Sequence, residues 1–139
     1  MPLFRQFGTL SVEVLAAAPR DGDVVDILVE AFSTEVPKRG QVEFDRTFLA
    51  LVVSAPQYRL RWLDWGQELV GPITEFLDAR VGLSTDPSTR ELPAQLIIQA
   101  CRHAYVQWVE HGDFGRLRSV LRAGMSMIVG ALPGAEAGN

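Results

Sequence analysis

Apolar residues recur along this chain at intervals of three and four, the repeat of helices that bury one face. Leu3, Phe4, Phe7, Leu10, Val14 and Leu15 follow it into a run of alanines. Pro19 closes that run, because the residue ahead of a proline is pushed out of the α region. After the turn from Pro19 to Asp23, the residues Val24, Leu28 and Phe32 mark a second helix, with Asp21 or Asp23 as its cap. Its β-branched content admits a strand as a competing reading, but the spacing favours a helix held by packing. The segment 34–41, TEVPKRGQ, reads as a loop broken by Pro37 and Gly40. A third helix runs from about Val42 to Ser54, with Phe44, Phe48, Leu51 and Val52 on one face and Leu49 and Val53 widening it. So broad an apolar face predicts burial on more than one side.

The next stretch, Pro56 to Gly82, holds two of the three tryptophans. It reads as one long central helix. Pro56 suits its first turn, Gly82 its end, and Gly71-Pro72 is expected to kink it, since Pro72 lacks an N–H for the Glu68 carbonyl. Asp86-Pro87 and the Ser88-x-x-Glu91 capping-box pattern then offer rival starts for a helix that contains Pro93. A short helical turn followed by a regular helix after Glu91 reconciles them. From Leu92 to Glu110 the residues are apolar nearly all round, which calls for cover on two sides. His111, Gly112 and Asp113 read as stop and restart: a base at the helix end, a left-handed glycine and a cap for the next helix. The last helix spans roughly Gly115 to Leu132. It has a core stripe of Leu117, Val120, Leu121, Met125, Ile128 and Leu132 beside small residues at Ser119, Ala123, Ser126 and Gly130. The whole is an all-α single domain of about six helices over 1–132, with 133–139 a disordered tail.

The net charge of −4 argues against a chain that binds nucleic acid through its whole surface. With a single cysteine, Cys101, no internal disulfide forms, and no leader or membrane-spanning run is seen. A cytoplasmic protein is expected. No phosphate loop, catalytic triad or supported pair of carboxylates occurs, so the chain does not read as an enzyme, and no cofactor is implied. Glu110, His111 and Asp113 straddle a helix end and read as capping residues rather than metal ligands. Cys101 reads as a structural thiol, because His103 lies two residues on and faces elsewhere. Arg102 and His103, inside an apolar helix, either anchor an acidic ligand or reach solvent or a partner helix. Arg116, Arg118 and Arg122 read as a solvated face.

The order of elements is distinctive where the single motifs are not. Ala55-Pro56 through Trp62 open a helix that runs out at Leu77 to Leu83. Asp86-Pro87 leads to an apolar helix from Leu96 to Trp108, Gly112-Asp113 turns the chain, and Leu117 to Leu132 close it. This resembles the C-terminal domain of TetR-family transcriptional regulators, from about Leu10 onward. The family's helix-turn-helix has no counterpart ahead of Met1, so the likeness is to the sensing and dimerising half of a repressor. The chain by itself is not expected to bind DNA or a membrane.

The resemblance implies a homodimer in which the last two helices of each subunit form a four-helix interface, here through Ile98, Arg102, Tyr105, Leu117, Leu121, Ala123, Met127 and Gly130. It also implies a pocket for an apolar small-molecule effector near Phe44, Phe48, Tyr58, Trp62, Trp65 and Leu69, with Cys101, Tyr105 and Trp108 on the opposite wall. Two other functions fit the same residues: a stand-alone helical small-molecule binding protein, and a truncated partner that heterodimerises with a complete regulator.

Overall fold

The structure, a computed structural model, describes residues 11–132 apart from the side chains of Glu35, Arg39 and Trp65. The apolar positions Leu3, Phe4, Phe7 and Leu10 and the tail 133–139 lie outside the described residues, as does the side chain of Trp65. Among the described residues the chain is helical throughout, with no strand.

Helix α1 occupies 11–17 and stops ahead of Pro19. The Arg80 guanidinium donates to the carbonyls of Ala18 and Pro19, taking up acceptors that the helix end leaves bare. Asp23 is the cap that opens α2, Val24–Ser33: its carboxylate accepts the Asp26 amide at 2.9 Å. The competing strand is thereby excluded for this stretch. Segment 34–41, expected as a loop, holds a short helix α3, Glu35–Arg39. Pro37 is tolerated there because it falls in the first turn, and Gly40 ends the helix at φ 69°, a left-handed angle that suits a residue without Cβ. Helix α4, Val42–Ser54, keeps its expected bounds. Its broad apolar face is not buried all round: Val52 is buried, whereas Phe44 and Leu51 are exposed.

The long central helix is two helices. Helix α5, Pro56–Gly66, passes through a 3₁₀ turn, Gln67–Leu69, into α6, Val70–Val81. The interruption precedes Gly71-Pro72 rather than falling on it. Pro72 is the third residue of α6, where an amide has no acceptor within its own helix, so the missing N–H costs little. Across the fold, Arg102 Nη2 donates to the Leu63 carbonyl at 2.5 Å, one turn ahead of the irregularity. A carbonyl has two lone pairs, so this side chain adds a tie at the end of α5 beside the helix's own ladder.

Asp86 caps the short helix α7, Pro87–Arg90, by accepting the Ser88 amide, so the Ser88-x-x-Glu91 box does not form. Helix α8, Leu92–His111, follows with Pro93 in its first turn. It ends at Gly112, φ 77°, and Asp113 caps α9, Phe114–Gly130, through the Gly115 amide. Helices α8 and α9 form an antiparallel hairpin, and Gly124 of α9 approaches so closely that a Cβ there would lie 3.0 Å from Ala100 Cβ. That single glycine makes the small-residue contact inside the chain. The stripe Ser119, Ala123, Ser126 and Gly130 is exposed.

The main core gathers Leu28, Ile73, Leu77, Ile97, Trp108, Leu117, Leu121 and Met125 from α2, α6, α8 and α9. Polar ties fix α9 against α2: Arg118 donates to Ser33 Oγ at 2.8 Å and Arg122 pairs with Asp26 at 2.7 Å. A second, smaller core of Val52 and Trp62 seats the α4–α5 hairpin over α8, with Phe48, Leu49, Tyr105 and Val106 against it. No helix among the described residues is long and apolar enough to cross a membrane.

The loop after α6 is held by Asp78, which accepts from Arg90 Nη2 at 3.0 Å and from the Leu83 amide at 2.8 Å. The Arg90 hydrogen bond first, then the Leu83 amide, holds its carboxyl below the ordinary Asp range. A depressed folded-state pKa contributes stability that is present above the unfolded value and lost as pH falls through the folded one. Thermal melts of Asp78→Asn and the parent, run from about pH 5 down to about pH 2, are therefore expected to converge below about pH 4. Parallel curves would assign acid sensitivity to other groups.

Candidate functional site

Where the small core meets the main one, the helices leave a cavity of about 80 Å³. Helix α4 brings Asp45, Phe48 and Leu49 to it, α5 brings Trp62 and Gly66, and the 3₁₀ turn brings Leu69. Helix α8 forms the opposite wall with Ile98, Cys101, Arg102, Tyr105 and Trp108. Ser11, Phe32 and Val36 close the end nearest α1 to α3. The spacing along α8 explains its share: 98, 101, 102, 105 and 108 recur at three and four, so one face of one helix supplies the whole wall.

The wall is rigid on the α8 side. Tyr105 donates its hydroxyl to the Phe32 carbonyl at 2.6 Å. Its ring meets Trp108 edge-to-face at 6.0 Å, and Trp108 meets Phe114 likewise at 5.7 Å. The Trp108 side chain is buried, and its Nε1 finds no acceptor among the described residues.

The polar side chains here are few. Asp45 is buried and has an interaction of its own within the chain. Arg102 is half-buried, and burial draws its pKa down from the ordinary guanidinium value. Cys101 beside it is half-buried, and burial pushes its thiol up, with the Arg102 charge offsetting only part of that. A thiol shifted this way stays protonated near neutrality and is no nucleophile.

Gly66 is where the wall is tightest. A Cβ at this position would collide with Arg102 Nη2 and come within 3.2 Å of Ile98 Cγ2. The backbone at Gly66 is right-handed helical, so alanine would gain about 1 kcal/mol of helix propensity. It would also displace the guanidinium from the Leu63 carbonyl, a charged hydrogen bond worth about 1.5–3 kcal/mol. Gly66→Ala is expected to destabilise by about 1 kcal/mol in urea unfolding. A more stable variant would mean that Arg102 moves aside without loss.

Six of the expected pocket residues, Phe48, Trp62, Leu69, Cys101, Tyr105 and Trp108, meet at the cavity. Phe44 and Tyr58 do not: they are 60 % and 40 % exposed and lie outside its lining. The α4–α5 hairpin turns those two faces outward, which periodicity alone leaves open. Asp45, Arg102 and Gly66 belong to the site although the aromatic pattern does not point to them. The visible signals were a carboxylate and a guanidinium at positions in register with the apolar face.

The expected dimer residues divide in two. Ile98, Leu117 and Leu121 are buried in the chain's own core, Tyr105 is tied inward to Phe32, and Arg102 reaches Leu63. The first three present no outward surface to a second copy, while Tyr105 and Arg102 are half-buried. Ala123, Met127 and Gly130 are exposed on α9, and Leu92, Leu96, Gln99 and His103 are exposed on α8. Ala100 against Gly124 sets the level of the antiparallel pair and places Leu92 and Leu96 beside the end of α9 that carries Met127. Residues Glu110 and His111 are exposed at the end of α8, and no group of metal-ligating side chains occurs among the described residues. No family model matches the chain, and no curated protein and no solved structure matches it.

Proposed function

We propose that this chain is an effector-sensing and dimerising module of a TetR-like transcriptional regulator, one that does not bind DNA by itself. The observation that carries the reading is the double use of α8. One face of that helix walls an aromatic-lined cavity, and another, with α9, presents an outward surface bearing Leu92, Leu96 and Met127. A helix shared by a cavity and a subunit contact converts occupancy of one into movement of the other. Clefts lined by aromatic side chains with a few polar groups are the usual form of small-molecule sites. At about 80 Å³ the cavity is well below the 300–1,000 Å³ that drug-sized ligands occupy, so its ligand is small.

Trp62 and Trp108 both line the cavity and report on it. Titration of small apolar compounds is expected to change the tryptophan fluorescence saturably, and Trp62→Phe is expected to reduce that change. An unresponsive signal across a broad panel would remove the effector reading. A responsive protein that stays monomeric would support instead a stand-alone small-molecule binding protein.

A further inference from the structure

Resting on the cavity being a ligand site, we infer that its ligand is a small apolar carboxylate held by Arg102. The wall is apolar apart from a handful of groups, and Arg102 and Asp45 are the two charged side chains lining it. Among the described residues no carboxylate lies within ion-pair distance of Arg102. Its hydrogen bonds go to the Leu63 carbonyl through Nη2 and, at 3.5 Å, to Gln99 through Nη1. A guanidinium carries five N–H donors in a fork that matches a carboxylate. Two acceptors leave most of that fork unused beside an apolar space. Asp45, the other charge at the wall, already has an interaction within the chain. The open fork of Arg102 therefore favours an anion at its end of the cavity.

Its size and its aromatic lining (Phe48, Trp62, Tyr105) suit a short hydrocarbon attached to the acid group. Gly66 takes part by omission. Without a Cβ there, the guanidinium reaches the α5 end through Nη2, held by the Leu63 carbonyl, and its position is fixed before a ligand arrives. A carboxylate that engages Arg102 also loads the junction between α5 and the 3₁₀ turn, because the same side chain holds both.

The test is a fluorescence and calorimetric titration of the full chain with butanoate and hexanoate, against butanamide and hexanamide as neutral isosteres and butylamine and hexylamine as cations. Hexanoate is expected to bind at least ~10-fold more tightly than hexanamide, the ratio of a charged to a neutral hydrogen bond. Arg102→Gln is expected to erase that ratio, and Arg102→Lys to retain part of it. Should Arg102→Gln fold poorly, the lysine variant and the wild-type ranking still decide. Equal binding of acid and amide, or tighter binding of the amine, overturns the carboxylate assignment and leaves the cavity a ligand site. Failure of all six probes to bind overturns both.

Discussion

Trp108→Ala is expected to remove about 3–5 kcal/mol of stability, the largest loss of any single side chain here. Trp108 is 1 % exposed, lies at the meeting of the main core and the cavity, and stacks edge-on with Tyr105 and Phe114. Truncation forfeits the transfer energy of the indole and both ring contacts, and α8 is anchored too firmly by the Tyr105–Phe32 hydrogen bond to collapse into the void. Against a total of about 5–15 kcal/mol for an ordinary domain, such a loss leaves a chain that unfolds in little urea. Trp108→Phe separates the causes. It keeps a ring in place and removes an indole N–H that has no acceptor among the described residues, so its cost is expected to be well under half that of alanine. Urea unfolding followed by circular dichroism measures both. A loss below about 1 kcal/mol for Trp108→Ala would place the indole outside the load of the core.

The second large effect is on assembly. The double variant Leu96→Glu, Met127→Glu is expected to turn the proposed homodimer into a monomer, weakening association by at least ~100-fold. Leu96 is 53 % and Met127 76 % exposed, at the same end of the α8–α9 hairpin. In a four-helix contact between two copies both would be covered, and each buried, unpaired carboxylate costs several kcal/mol. In the single chain both face outward, so the fold itself is expected to change by no more than about 0.5 kcal/mol each. Sedimentation equilibrium at micromolar concentration reads the result, with thermal melts as the check on folding. A wild-type chain that is already monomeric would sink the dimer proposal, and a double variant that remains dimeric would move the contact elsewhere.

How far the residues alone lead is clearest along α8 and α9. Their ends were legible: a glycine that reaches φ 77° at Gly112 and a carboxylate that caps at Asp113 act within one turn of chain. The stripe Leu117, Leu121 and Met125 was legible as a core stripe and is buried, but periodicity does not say whether a core face is covered by the chain itself or by a second copy. The expected dimer surface accordingly included Leu117 and Leu121, which lie inside. The cavity was half legible. The aromatic and apolar residues Phe48, Trp62, Leu69 and Tyr105 meet there, while Phe44 and Tyr58 share their spacing and face away.

What the sequence by itself determined, then, is whatever depends on neighbours a few residues away: the helical character of the described residues, the caps at Asp86 and Asp113 and one of two candidates at Asp23, and the stops at Gly82 and Gly112. What only the tertiary structure decided depends on residues far apart in the chain. The helix from Pro56 changes to a 3₁₀ turn at Gln67–Leu69, and not at Pro72, beside the point where Arg102, 39 residues on, donates to the Leu63 carbonyl. The same reach carries a guanidinium to the wall of the cavity. A carbonyl has a second lone pair for a distant donor, and which side chain reaches it is decided by packing, which no local pattern records.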